Sequence, residues 1–402
     1  MPVSLHQDTL WTKSFVFMCL SNFLVFFAFY LLMPTLPFYL TDFFHTSKGI
    51  IGLILSCYTI AVLAIRPFSG FLADTFSRKP MYIIAYFLFT SFFIGYLLAG
   101  VLSVFVAFRI FQGFAFGAVS TSGSTLVIDI MPSSRRGEGL GYFGAINNLA
   151  LAFGPMVGLF LKNTGNFNVI FYAAILSGSI GLFFAFLVKA PPKLPREHEA
   201  ISFDRFILIK GIPAAVSLML VTIPYGMTCT YIAMYAEKSG LGAYAGLFFL
   251  VMSGGLILSR ILSGKKVDKG YMTRLISQGY IIVSVGIILE VFLQLIALHN
   301  KVLGYTTFFT VAFFLGYGYG TLIPALNTLF INLAPHNRRA TANSTYLTSW
   351  DMGIGSGILL GGLLSEGIGF SWMYAIGTVF ALIALFLYIR FVIPHFEKNR
   401  LR

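Results

Sequence analysis

Three ionisable side chains stand where charge is expensive. Arg109, Asp351 and Glu290 each lie inside a long apolar run of a chain in which 10% of residues are charged. A carboxylate withdrawn from water favours its protonated form, while a neighbouring cation favours the ionised one. Such a group can take a proton on one side of a barrier and release it on the other. Arg109, Asp351 and Glu290 therefore read as a proton-coupling charge relay. The competing reading is an ion pair or hydrogen-bond network that only fixes helix packing.

Their depths follow from arithmetic on the chain. Between Lys79 and Asp129 the polypeptide has to cross a bilayer and return. At about 20 residues per crossing and about 1.5 Å per residue, Arg109 sits about 12 Å deep. A guanidinium there must face protein or water. Asp351, in "STYLTSWDMGIG", lies between the basic Arg339 and the acidic Glu366, again near mid-depth. Glu290, in "GIILEVFLQ", falls nearer the outer half.

The elements that hold these groups must be transmembrane helices. The chain has 402 residues, 57% of them hydrophobic, which excludes a soluble globular class. Twelve apolar spans are expected, at 14–40, 48–70, 80–100, 102–130, 138–161, 167–189, 206–235, 243–263, 273–298, 302–333, 340–364 and 370–392. Strand alternation is absent, so a barrel is not expected. The first span is too long for a signal-peptide core and reads as a retained helix. Cys19, Cys57 and Cys229 lie in apolar segments without ligand spacing, so neither a metal nor a cofactor is expected.

Of the 27 Lys and Arg residues, Lys48, Lys162, Lys238 and Lys301 fall on one side and Arg109 falls within a helix. The rest fall on the side of the two termini, which the positive-inside rule makes cytoplasmic. The formal charge of +13 thus orients the chain in a plasma (inner) membrane and does not call for nucleic acid. The Pro-rich, charged segment 190–205 reads as a cytoplasmic linker, separating a six-helix bundle at 1–189 from a second at 206–402.

An internal repeat supports that division. Shifted by 194 residues, Arg66, Ser69, Gly70 and Asp74 fall on Arg260, Ser263, Gly264 and Asp268. Shifted by 203, Gly113 and Gly117 meet Gly316 and Gly320, and Gly154 and Gly158 meet Gly357 and Gly361. The same shift sets Pro132, Arg135 and Arg136 on Pro335, Arg338 and Arg339, and Asn148 on Asp351. Two parallel six-helix halves place a binding site between them.

On these motifs the chain resembles the major facilitator superfamily over essentially its whole length. The family's loop signature reads here as Gly70, Leu72, Ala73, Asp74, Ser77, Arg78 and Lys79, with Thr75 replacing a basic residue. A fourth-helix signature appears as Arg109, Gln112 and Gly113. The fifth-helix signature of the exporter branch appears as Gly154, Pro155 and Gly158, with Leu159 and Ala150 where the family has glycine. The resemblance implies an all-α membrane fold of twelve helices and alternating access. It also implies a proton-transfer role for the fourth-helix Arg109 and a helix-packing role for Gly154, Pro155 and Gly158.

The remaining expectations concern a latch and a cavity. Gly70 would let helix ends approach, and Asp74 or Asp129 would pair with Arg78 or a helix N-terminus beside Lys79. That latch is expected to break when the cytoplasmic side opens. Asn22, Phe26 and Tyr30 share one helix face, and Tyr58, Gln112, Asn148, Tyr225, Tyr231, Tyr317 and Asn327 are expected to line the centre with them. An aromatic cavity of this kind suits small amphipathic molecules, cations among them. No second mid-membrane Arg is expected in the C-terminal half, which weighs against anionic substrates.

These readings favour a monomeric, proton-coupled exporter of small amphipathic molecules. The alternatives are an uptake symporter for a sugar or organic acid, or a non-transporting membrane sensor. An enzyme is disfavoured because all six His residues lie in expected loops or tails.

Overall fold

Inside a bilayer every backbone N–H and C=O must be satisfied by the chain itself, so the apolar runs become helices. A computed structural model of the protein describes residues 9–75, 77–132, 135–190, 207–268, 271–335 and 338–401. Within the helices, the side chains of residues 67, 70–75, 137, 263–268, 339 and 340 lie outside that description. Among the described residues there is no strand.

The first crossing is broken in two, α1 (Lys13–Leu32) and α2 (Leu36–Phe44). The break falls at "MPT", where Thr35 donates its hydroxyl to the Leu31 and Leu32 carbonyls at 3.1 Å and Pro37 enters the first turn of α2. There follow α3 (Lys48–Thr75), α4 (Arg78–Leu98), α5 (Leu102–Ile130), α6 (Arg136–Lys162) and α7 (Phe167–Leu187). The second set is α8 (Ile212–Lys238), α9 (Ala245–Asp268), α10 (Met272–His299), α11 (Lys301–Leu333) and α12 (Arg339–Gly367). Its last crossing runs through α13 (Phe370–Leu387), a π-helical turn (Tyr388–Val392) and α14 (Ile393–Asn399). The segment expected to be the linker lies, from 191 to 206, outside the described residues.

Eleven of these segments are long and apolar enough to cross a membrane. The twelfth crossing, α12, has 29 residues but a polar first half, and it carries Asp351. The two repeated polar elbows, 66–74 and 260–268, are helical in backbone: α3 continues to Thr75 and α9 to Asp268, beyond the ends expected at 70 and 263.

Outward surfaces are apolar, with Leu98 77% and Val302 76% exposed, as lipid contact requires. Polar side chains turn inward and join helices pairwise. Ser21 of α1 bonds Tyr82 of α4 at 2.9 Å, and Ser217 of α8 bonds Tyr280 of α10 at 2.6 Å. These are equivalent positions in the two halves. The repeated glycines behave alike too. A methyl at Gly113 or Gly117 of α5 would strike α3, and one at Gly316 or Gly320 of α11 would strike α9.

Helices α1–α7 form one half and α8–α14 the other, and two seams join them: α3 against α12, and α6 against α9. The face carrying the ends of the chain is called here the terminal face, and the opposite one the far face. Chain reversals at the far face use Gly165 and Gly369, whose positive φ of 77° and 86° an L-residue rarely adopts.

Candidate functional site

The α3–α12 seam is built on small residues. Gly52 lies against the Ile358 and Leu359 carbonyls and the Gly362 backbone, and Gly355 lies against Thr59. Backbones this close bring long side chains further along the seam into register. Arg66 of α3 reaches Asp351 of α12, with Nη2 2.5 Å from Oδ2. The two side chains are only 18% and 14% exposed, so each charge depends on the other. Tyr30 of α1, Tyr58 of α3 and Tyr346 of α12 all lie close enough to feel the Asp351 charge. Sequence reasoning foresaw Asp351 but assigned Arg66 to the terminal elbow. Its position eighteen residues into a continuous apolar helix was the available signal.

Arg109 is buried, as expected, but no carboxylate pairs with it among the described residues. Its Nη1 donates to Gln112 Oε1 at 3.0 Å, and its guanidinium lies 4.0 Å from the centre of the Tyr58 ring. Tyr96 Oη donates to the same Gln112 oxygen at 2.5 Å, and Gln112 Nε2 donates to the Phe89 carbonyl at 3.4 Å. A cation over an aromatic face gains electrostatic stabilisation in a dry setting. Arg109 and Asp351 therefore belong to separate clusters, with Tyr58 between them.

Aromatic rings fill the space on the α1 side. Phe26 meets Phe116 edge-on at 5.4 Å, and Tyr30 packs against Phe29 at 5.1 Å. Asn22 Nδ2 donates to Asn147 Oδ1 at 2.5 Å, joining α1 to α6. Asn147 was missed because its neighbour Asn148 holds the repeat position of Asp351. In the other half, Tyr225 lies 4.7 Å from Tyr319 and 5.1 Å from Trp350.

The other residues expected in the cavity differ in how they are engaged. Tyr231 is fully buried and donates to the Ile358 carbonyl at 2.9 Å, bracing α8 against α12 inside one half. Tyr317 lies tilted against Phe313, ring centres 6.1 Å apart, at the α9–α11 contact, and Asn327 has a buried Oδ1 without a partner. Asn148 is buried at the α6–α9 seam, where its carbonyl accepts from Ser253 Oγ at 3.3 Å. Glu290 is wholly buried inside the C-terminal half, where Thr228 Oγ1 donates to its carboxyl oxygens at 3.2 Å. It lies away from both seams.

At the terminal face, Arg78 pairs with Asp129 and donates to the Thr125 carbonyl at 3.3 Å. Lys79 Nζ donates to the Phe186 carbonyl at 2.9 Å. These bonds tie α4 to α5 and α7, all within one half. Both partners of the Arg78–Asp129 pair belong to the first half, so this pair by itself does not bridge the halves. The side chains of Gly70 and Asp74 lie outside the described residues. Gly154 and Gly158 of α6, flanking Pro155, lie against Tyr30 and the Leu31 carbonyl of α1.

The far face is fastened across the halves. Lys162 of α6 pairs with Glu237 of α8, and Gly49 N–H of α3 donates to Glu366 Oε2 of α12 at 2.6 Å. Lys48 lies 4.8 Å from the Phe370 ring centre. At the terminal face, the Arg78–Asp129 and Arg135–Glu138 pairs each stay within the first half.

A helix-rich body in two equivalent halves, with a buried ion pair on the seam between them, invites comparison with known carriers. The chain is 25% identical over 355 residues to the quinolone resistance protein NorA of Staphylococcus aureus strain MRSA252, covering 86% of this chain and 88% of that one. It is 22% identical over 346 residues to the staphylopine export protein of Staphylococcus aureus strain Mu50 / ATCC 700699, covering 82% and 84%. Its fold superposes on a D-xylose–proton symporter with a TM-score of 0.78 at 15% identity, over 98% of this chain and 100% of that one. The profile of the Major Facilitator Superfamily matches residues 18–303 and 270–401. The chain belongs to the Major Facilitator Superfamily.

Proposed function

We propose that this multi-pass membrane protein is a proton-coupled exporter of small amphipathic organic molecules, working by alternating access between its halves. The observation that carries the reading is the Arg66–Asp351 ion pair across the α3–α12 seam. Protonating the carboxylate removes the attraction that holds Arg66 and frees the seam. Loss of the proton restores it. One proton event is thereby tied to the relative position of two rigid halves, which is what coupling requires.

Supporting the direction of transport are the two curated relatives, one named for quinolone resistance and one for staphylopine export. The likeness to a sugar symporter, at 15% identity, speaks to the fold alone. Arg109, Gln112 and Tyr58 serve in this reading as a second polar station on the path, and Phe26, Tyr30, Tyr225 and Trp350 as apolar wall. The far-face bonds Lys162–Glu237 and Gly49–Glu366 fit a state closed on the far side. The excess of Lys and Arg at the terminal face supports a plasma (inner) membrane orientation with cytoplasmic termini.

Everted membrane vesicles test the reading. On energisation, vesicles containing the protein should take up ethidium or norfloxacin, and nigericin should abolish the uptake. Asp351→Asn should reduce uptake to the level of empty vesicles. Uptake that ignores the proton gradient, or that survives this substitution undiminished, overturns it.

A further inference from the structure

The two seams are equivalent by the internal repeat, yet only one carries an ion pair. On α3–α12, Arg66 meets Asp351. On α9–α6, the repeat of Arg66 is Arg260, and the repeat of Asp351 is the uncharged Asn148. Arg260 is not a loop residue. It lies within α9 against the other half, such that a methyl placed on Gly144 of α6 would come 3.7 Å from its Nη1. Gly144 precedes Asn148 by one helical turn, so the guanidinium abuts the face of α6 that bears Asn148. Side chains on a helix lean toward its N-terminus, which on α9 carries Arg260 toward Asn148.

Both groups are donors, and both lack an acceptor. The Nε of Arg260 and the Nδ2 of Asn148 are buried without a hydrogen-bond partner. Among the described residues no carboxylate lies within ion-pair distance of Arg260, and its titratable neighbour is the uncharged Tyr346 hydroxyl group of α12. A guanidinium withdrawn from water costs free energy unless an anion or acceptor faces it. If packing were its only task, an aspartate at 148 would meet that need, as Asp351 does on the other seam.

We propose that Arg260, with Asn148 Nδ2 as a second donor, is the receptor for an anionic group, a carboxylate by preference, on the transported molecule. The planar fork of Arg matches the two oxygens of a carboxylate, and the amide adds a third hydrogen bond. Tyr346 and Trp350, one turn apart on α12, offer aromatic surface for the body of such a molecule. This deepens the export reading and rests on it. It also reverses the sequence-based expectation, drawn from the lack of a second mid-membrane Arg, that anions are disfavoured.

Three naphthalenes of one size test the site: 1-naphthoate, 1-naphthamide and 1-naphthylmethylammonium. Binding is measured as thermal stabilisation of the purified full-length protein in detergent. The wild type should bind the carboxylate at least about tenfold more tightly than the amide or the ammonium, as one charge-assisted bidentate contact provides. Arg260→Gln should erase that preference, and Arg260→Lys should retain part of it. Asn148→Asp should also erase it, by giving the guanidinium an internal partner, while raising the melting temperature of the unliganded protein. Should Arg260→Gln fail to fold, Asn148→Asp decides alone, since it adds a partner and removes none.

A wild type that binds the three probes equally, prefers the ammonium or binds none overturns the proposal. So does a carboxylate preference that survives both Arg260→Gln and Asn148→Asp. Ethidium efflux separates this outcome from the parent reading. Proton-driven ethidium efflux without a carboxylate preference removes the anion receptor and leaves the exporter. A preference that depends on Arg260, without proton-driven efflux of ethidium or naphthoate, supports the receptor and removes the exporter.

Discussion

The α3–α12 seam and the α6–α9 seam occupy equivalent places on opposite sides of the central axis, and each carries one arginine. On the first, Arg66 is neutralised by Asp351 from the facing half. On the second, Arg260 lies beside Gly144, one helical turn before Asn148. The backbone cannot account for the difference, because both seams are built from glycine contacts and the same repeat. One substitution, amide for carboxylate, turns a self-contained gate into a group with a charge to offer. A duplicated scaffold can thus divide its labour, with one copy holding the halves together and the other meeting the cargo.

The largest expected effect comes from breaking the balanced seam. Asp351→Asn strands a buried guanidinium, a loss of about 3–5 kcal/mol and at least about 100-fold in coupled transport. Unfolding of the purified protein and vesicle uptake measure the two parts. The double variant Arg66→Gln with Asp351→Asn should recover most of the stability and none of the coupling. Recovery of transport would mean that the pair only braces the seam.

Next in size is a change to the packing inside each half, where the copies should behave alike. Gly158→Val on α6 would drive a side chain into the Leu31 carbonyl, and Gly357→Val on α12 would do the same at Ile223. Each should cost about 1–3 kcal/mol of stability by overpacking. Thermal unfolding of the two variants gives the comparison. Equal losses would sharpen the contrast with the unequal seams, and unequal losses would blunt it.

A smaller effect is expected at the far face. Glu237 is 47% exposed, and exposed pairs contribute about 0–1 kcal/mol. Glu237→Gln should raise the labelling rate of a cysteine placed at Met156 by about fivefold at most. The swap Lys162→Glu with Glu237→Lys should return it to the starting value. The smallest effect belongs to Glu290, which contacts Thr228 within one half and neither seam. Glu290→Gln should leave vesicle uptake within about twofold of the wild type.

Much of the fold was legible because a bilayer demands long apolar helices, and eleven of the twelve expected crossings are plainly apolar runs between charged turns. The halves could be read from glycines, whose spacing reports helix contact. Asp351 and Arg109 could be found for the same reason, as charges in an apolar field. What stayed hidden was the partnership. Depth along one helix says nothing about register against another, so Arg66 looked like part of a surface elbow and Arg260 like its copy. The expected spans already contained both arginines, and only the packing of α3 on α12 shows which one is answered. Likewise Tyr231 carries the same polar tip as Tyr30, but its hydroxyl is spent on the Ile358 carbonyl.

The most direct measurement follows protons and substrate together in proteoliposomes carrying the wild type or Asp351→Asn. A pH gradient should drive the wild type to concentrate norfloxacin against its own gradient, with a matching proton flux. The Asp351→Asn protein should do neither and retain at most exchange down a concentration gradient. Accumulation against the gradient by Asp351→Asn would contradict the assignment of coupling to the Arg66–Asp351 pair.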